Sequence, residues 1–498
     1  MQEDYIRLIF GLKVKQVRTN KGLSLFKLSK MTGLSKSYLN EIEKGKKYPK
    51  TDKILILADA FEVSYDDLVS LKLDKNLAPV ADILQSEMFK EIPLEIFGIE
   101  ERDLIDIIAN APAKVSAFIS TLLEIGNNYN MTKESFFQAS LRSFQEANDN
   151  YFPEIEKAVK DFLKAYRIKD SDEISEKWMI EILTEEFGYS IRYQDFSELD
   201  KNNQLSILRS IFVPRKKELL INTMTHKDQR HFILAKEIGY NFLNLKDRLN
   251  TFSWANFNSF DKLLNNFYAS YFAGALLLPE EDLVKDLEVL FGLEKHELVS
   301  MSGIFKKYTE SPETVYQRLT TILPRHFNIK DLFFIRLEHK IGTESFNLTK
   351  ELHLNKHQSP HANETDEHYC RRWVSVRILK EFEEDTHTSF HTEAQISIYP
   401  YHNNQSYYVV SSVTKDPFDP LYLRSVSIGL LLRQAKKKMK FLEDEQNILV
   451  KDVAVTCENC GIRDCVERAA FPKRFERTTR YRILNESIEE FIRQREQR

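Results

Sequence analysis

Three of the chain's four cysteines, Cys457, Cys460 and Cys465, fall within the run CENCGIRDC, and the fourth is Cys370. A C-x2-C step sets two sulfurs at the separation of two ligand sites on one metal centre, and the short loop to Cys465 adds a third. A zinc tetrahedron and a four-iron cluster both need a fourth ligand, and Cys370 is the one thiol left to supply it. Spacing leaves both metals open. Zinc knuckles more often show two C-x2-C pairs, and C-x2-C-x4-C is neither of the ferredoxin runs. The plain alternative is four free thiols, buried or redox-active. A second cluster, His353, His357 and His361, is interrupted by Pro360 and lacks an obvious acid partner, so solvated loop histidines are expected there.

The elements that would carry a second chemistry lie in the middle of the chain. SIRYQDF alternates as a strand, and SIFVPRKKELLINTM reads as two strands around a polar turn. HKDQRHFILAKEIGYNFLNL then reads as a helix, and NNFYASYFAGALLLPEEDL as another, stopping at Pro279. Strands, a helix with a central glutamate and a helix ending ALLLP, in that order, resemble the ImmA/IrrE peptidase-like family. The resemblance implies a zincin-like domain, in which an HExxH helix supplies two zinc ligands and a general base. Here the stretch is Lys236-Glu237-Ile238-Gly239-Tyr240. A protonated lysine ligates poorly, a phenol is a weak zinc ligand, and NNFYAS has no carboxylate where a further acidic ligand is expected. Glu237 is left with no metal-bound water to act on. The domain reads as a degenerate scaffold with no catalytic residues, and the chain as no enzyme. His226 and His231, five apart, do not share a helix face.

The head has its own pattern. Helices are expected over about Phe10–Thr19, after the cap Ser24 to the stop Gly33, after the cap Ser35 to Gly45, over about Thr51–Phe61, and from near Ser64. Leu34, Leu39 and Ile42 face inward. Two short helices on a tight glycine turn form the geometry that enters a major groove. Lys36, Ser37, Tyr38 and Asn40 would meet base edges or nearby backbone, and Lys44, Lys46 and Lys47 would meet phosphates. LSKSYLNEIEKGKKYP resembles the lambda-repressor-like (XRE) family, which implies binding to double-stranded operator DNA, usually as a dimer on a two-fold site. Leu25 stands where that family often has a glutamine, and it cannot make that residue's contact.

In the tail, ETVYQRLTTILPRHF reads as a helix from about Ser311 and DLFFIRLEHKIG as a strand. SIYPY and SYYVVSSVT read as paired strands, LYLRSVSIGLLLRQAKKKMKFL as a helix with a basic end, and about Asn485–Arg495 as a final helix. EHYCRRW and TCENCGIRDCVERAAFP resemble the C-terminal domain of the short-chain fatty acyl regulators, the RamB/PrpR-like family. That family places this domain behind an XRE head and an ImmA/IrrE-like middle, the order found here. The resemblance implies control of short-chain fatty acid, propionate or acetate metabolism genes, a short-chain acyl-CoA effector, and a 4Fe-4S cluster on Cys370, Cys457, Cys460 and Cys465, with zinc as the alternative. Coenzyme A carries phosphates, which makes Arg325, Arg371 and Arg372 candidate ligand-binding residues. Lys436, Lys437 and Lys438 read as a solvated helix end.

Composition bounds these readings. The 498 residues suffice for about three domains. Glycine and proline number 14 each, which favours helix. Residues 1–75 hold 15 Lys+Arg against 10 Asp+Glu, a net of +5 within an overall −4, so the basic head suits a polyanion and the acidic remainder does not. No signal peptide or membrane-length apolar run is read, which excludes a membrane partner and points to the cytoplasm, where cysteines stay reduced. The expected fold is mainly α with an α+β body: a helix-turn-helix domain over 1–72, a helical connector over 73–150, the degenerate peptidase-like domain over 151–310, and an α+β metal-cluster domain over 311–498. The function read is a DNA-binding transcriptional regulator, acting as a homodimer or higher homo-oligomer. The rival readings are a phage or toxin–antitoxin-type regulator and a regulatory metalloprotease with a structural zinc site.

Overall fold

The computed structural model describes residues 2–70, 133–168, 174–199, 204–251, 259–298, 303, 306–354, 367–384, 390–401, 404–416, 418–443 and 448–496. Most of the expected connector, and His357 and His361, lie outside the described residues. The chain divides into two compact units, residues 1–140 with 258–260, and residues 141–257 with 261–498.

The head is five helices: α1 (Gln2–Asn20), α2 (Leu25–Thr32), α3 (Lys36–Glu43), α4 (Thr51–Phe61) and α5 (Tyr65–Val69). The caps behave as the sequence indicates. Ser24 accepts the Lys27 N–H, Ser35 accepts the Tyr38 N–H, and Gly33 turns the chain at φ +70°. α1 starts at Gln2, well before Phe10, because nothing in its first turns stops a helix. Leu28, Leu39, Ile42, Leu57 and Phe61 form the centre of one core. Gly11 permits α1 to touch the end of α3, since a Cβ there would stand 2.3 Å from the Ile42 carbonyl oxygen.

The second unit begins within α6 (Lys133–Ala147) and continues through α7 (Pro153–Ala165), the break falling just before Pro153, and α8 (Glu176–Glu181). Strands β1 (Ser190–Gln194), β2 (Ser210–Val213) and β3 (Glu218–Asn222) make a small sheet in the order β1-β3-β2, β1 parallel and β2 antiparallel to β3. Helices α9 (Lys227–Phe242), α10 (Phe260–Leu277) and α11 (Glu280–Phe291) follow, then α12 (Pro312–Phe327), capped by Ser311.

A six-stranded sheet organises the rest: β4 (Leu332–Lys340), β5 (Phe346–His353), β6 (Phe390–Tyr399), β7 (Gln405–Lys415), β8 (Tyr422–Leu431) and β9 (Leu449–Asp452), ordered β5-β4-β8-β7-β6-β9. α11 and α12 pack on one face and α13 (Val374–Glu384) on the other, each face with its own apolar core. One expectation fails here. LYLRSVSIGLLLRQ forms strand β8 and then a single helical turn, Leu432–Ala435, in place of a long helix. A central strand covered on both faces reads as a continuous apolar run, which periodicity does not separate from a buried helix. The last helix, α14 (Lys473–Glu496), begins just after Pro472, well ahead of Asn485.

Middle and tail are joined by a buried ion pair. Arg318 on α12 meets Glu156 on α7 at 2.5 Å, with side chains 2% and 5% exposed. The Tyr271 hydroxyl of α10 donates to Glu156, and Arg318 Nε donates to the Leu278 carbonyl. Removing one partner strands a charge in the core. Glu156→Ala is expected to destabilise the second unit by about 3–5 kcal/mol, read as a lowered urea midpoint of its unfolding transition.

Candidate functional site

Three groups of residues carry candidate chemistry. On the head, α3 is the second helix of the helix-turn-helix motif: Lys36 and Ser37 at its start are exposed, Tyr38 and Asn40 are half-buried, and Lys44, Lys46 and Lys47 just beyond its end are exposed. Beneath, Arg18 of α1 forms a two-pronged contact with Glu43 of α3 at 2.5 and 2.9 Å and also donates to the Leu23 carbonyl, which fixes the helix from behind. Lys47 is not a bare cation. It pairs with Glu41 at 2.8 Å, an exposed contact that DNA phosphates can replace.

In the middle domain, Lys236, Glu237 and Tyr240 of α9 are all buried. Arg248, in the loop after α9, meets Glu237 at 2.5 Å. Its guanidinium lies over the rings of Phe212 and Tyr240 at 3.9 and 4.1 Å. Tyr189 also donates to Glu237. Lys236 Nζ donates to Asn266 Oδ1 at 2.6 Å, and so does the Tyr240 hydroxyl at 3.3 Å. Asn266 belongs to the NNFYAS run where an acidic ligand was expected. The glutamate is retained but neutralised by a side-chain cation, and the two flanking ligand positions bond to a carboxamide. Burial works against Arg248's charge, yet Glu237 outweighs it and holds that pKa up. Burial pushes Lys236 down to about 7, with Glu237 opposing and Arg248, Lys350 and Arg209 adding to the shift.

The last two cations belong to a neighbouring group that sequence reasoning missed. Lys350 on β5 and Arg336 on β4 both pair with Glu313 of α12. Arg209, just before β2, sits in the same field. Arg209, Glu313 and Lys350 are half-buried, keeping some surface open to solvent although enclosed by protein. Burial and neighbouring cations lower Lys350 to about 8 and Arg209 to about 10. Arg209, Lys236, Arg248, Arg336 and Lys350 gather around Glu237 and Glu313, with Arg424, Asp416 and Glu338 at the edge of the same field. No local motif signals this, because the first five come from five separate elements.

In the tail, a bridge between Tyr369 and Thr456 sets Cys370 beside the Cys457–Cys465 loop. The Cys370 N–H donates to the Val455 carbonyl and the Cys457 N–H to the His368 carbonyl. All four cysteines are free, and all but Cys465 are buried. Backbone N–H groups point at three sulfurs: Ala454 and Arg372 at Cys370, Ala469 at Cys457, and Ile462 at Cys460. Burial raises the Cys370 thiol to about 11 and shifts Cys460 the same way. Such donors suit thiolates held by a soft metal. Among the described residues, no three His, Cys, Asp or Glu groups converge as a single bound ion requires. The donor chemistry and neighbourhood fit a thiolate-held group.

The three arginines proposed for phosphate do not form one pocket. Arg325 is exposed on α12 beside the Tyr151 ring, on one side of the six-stranded sheet. Arg371 and Arg372 lie on the α13 side with Cys370 and Trp373. Arg371 is buried over Phe346 and donates to the Glu344 carbonyl, and Arg372 faces Glu467 at 3.7 Å. Lys436, Lys437 and Lys438 are exposed beyond the short turn after β8. His226 opens α9, its N–H bonded to Gln229.

The Helix-turn-helix family matches residues 14–68 and the IrrE N-terminal-like domain matches residues 184–320. The chain therefore carries an XRE-type helix-turn-helix domain and an IrrE-like domain. A propionyl-CoA carboxylase regulator of Cereibacter sphaeroides is 22% identical over 67% of this chain and 69% of its own length. The HTH-type transcriptional regulator PrpR of Mycobacterium tuberculosis is 22% identical over 66% and 67%. A solved Mycobacterium tuberculosis transcriptional regulator matches with a TM-score of 0.46 and 18% identity, over 67% of this chain and 93% of that one. The chain is a distant relative of transcriptional regulators of the PrpR and propionyl-CoA carboxylase regulator type. No helix of the described residues is long and apolar enough to cross a membrane.

Lys236 supplies a pH test. Its pKa lies near 7 when folded and near 10.5 unfolded, so between these values the unfolded chain binds more protons and stability rises with pH. Replacing Lys236→Met removes that term. The variant's gain over the parent in urea midpoint is expected to be largest at pH 7 and below and to shrink steadily toward pH 10.

Proposed function

We propose that this chain is a cytoplasmic, homodimeric transcriptional regulator that binds operator DNA through α3 and responds to a short-chain acyl-CoA, with no enzymatic activity. Its targets are genes of short-chain fatty acid, propionate or acetate metabolism. The observation that carries the reading is the combination in one chain of a helix-turn-helix whose second helix is followed by the exposed lysines Lys44, Lys46 and Lys47, and an IrrE-like domain whose metal positions are taken by Lys236, Tyr240 and Asn266, with Arg248 on the remaining glutamate. The names of the two distant relatives support it.

The acyl-CoA phosphates are placed in this proposal at the cation-rich group around Arg209, Lys236 and Lys350, because its positive charge is built in and partly reached by solvent. Cys370, Cys457, Cys460 and Cys465 would hold a four-iron cluster, which when bound supplies a cross-link between the two chain segments and a one-electron redox centre. The chain's own residues hold the sulfurs through backbone N–H donors, and Arg468 ties the loop by donating to the Cys457 and Ile462 carbonyls.

The test has two arms. Protein purified without oxygen is assayed for iron, sulfide and zinc; about four irons and four sulfides per chain, lost in Cys460→Ser, is expected. One zinc per chain would overturn the cluster and leave the regulator standing. In the second arm, operator fragments selected from genomic DNA are titrated by fluorescence anisotropy with and without propionyl-CoA. A shift of roughly five-fold or more in apparent Kd is expected, abolished in Arg209→Ala with ligand-free DNA affinity unchanged. An affinity unmoved by any short-chain acyl-CoA sinks the effector reading.

A further inference from the structure

Helix α14 runs for 24 residues, about 36 Å, and none of its residues is buried. Its first turns are anchored: Arg474 meets Glu367 at 2.7 Å, and the Phe475 ring packs edge-on to Tyr401. Beyond them Tyr481, Leu484, Ile488, Phe491 and Ile492 fall at intervals of three, four, three and one, on one face. These five side chains are 47% to 61% exposed. A bare helix of this length gains little from propensity alone, and helices in proteins draw most of their stability from a packed apolar face.

We infer that this stripe is the pairing surface for α14 of a second copy of the chain. Two observations select that occupant. Residues 480–496 carry four arginines and four glutamates, a balanced surround that suits a like-charged copy and offers no net attraction to a membrane, nucleic acid or acidic peptide. The area is also right. Taking ~200 Å² for each large side chain, half of it exposed, two stripes bring together roughly 1,000 Å² of apolar surface, near the lower end of stable interfaces. The inference rests on the reading of a protein working on a two-fold DNA site, since paired helices would place two heads on one assembly.

The experiment reads mass, not DNA binding, so its failure is separable from failure of the function. Light scattering on the full chain at micromolar concentration is expected to give the mass of two chains. Leu484→Glu with Ile488→Glu halves it and lowers far-UV helix content. Ile483→Glu, on the opposite side of the helix, leaves it at two. The milder Leu484→Ala with Ile488→Ala moves the monomer–dimer midpoint to at least ten-fold higher concentration, which separates lost pairing from lost folding. A parent chain with the mass of one, or a double glutamate variant with the mass of two, overturns the pairing.

Discussion

The buried contact between Glu156 and Arg318 is the constraint on which the second unit depends. These residues lie 162 positions apart, and their pairing holds α7 against α12, while Tyr271 and the Leu278 carbonyl bring α10 and the approach to α11 into the same bonds. α12 in turn packs on the six-stranded sheet, and α11 shares its core. The residues matched as IrrE-like and the strands of the tail therefore meet in one interior. A pair of buried charges is a poor source of net stability but a strict one for geometry, because each charge tolerates almost no position but beside the other. The cation-rich group lies at this junction: Glu313 and Arg336 come from α12 and β4, Arg209 and Lys236 from the IrrE-like part.

The Arg248–Glu237 pair shows what becomes of a peptidase-like site without its ligands. A glutamate buried at that depth needs a countercharge, and an arginine lying on two aromatic rings supplies one without a metal. The loss of the ligands was legible, since Lys236 and Tyr240 stand in the motif itself. The replacement was not, since Arg248 lies in a loop and reaches Glu237 only once α9 and β2 are packed together.

The same division runs through the rest of the chain. Features set within a few residues were legible: the caps Ser24 and Ser35, the stop at Gly33, and a helix from about Ser311. Features set by what lies above and below an element were not. β8 looked like a helix because both its faces are covered. Arg325, Arg371 and Arg372 were each candidates for the same ligand, and sequence carries no sign that a sheet separates the first from the other two. The cysteine positions suggested a shared site, and the Tyr369–Thr456 bridge does bring their segments together, although no pattern around Cys370 announces that strand contact.

The foot of α14 links that cysteine loop to the helix that follows it. Glu367, which receives Arg474, also accepts hydrogen bonds from Thr456 and Asn459 at the start of the loop. Gly461, between Cys460 and Cys465, is where the Phe475 ring seats; a Cβ there would stand 2.4 Å from that ring. The Tyr401 hydroxyl donates to the Gly461 carbonyl from the other side. The direction of a 24-residue rod is set by its first turns, and here those turns rest on the backbone that positions the sulfurs. The thiol loop and the foot of α14 therefore share one set of contacts, and a substitution at Gly461 or Glu367 acts on both.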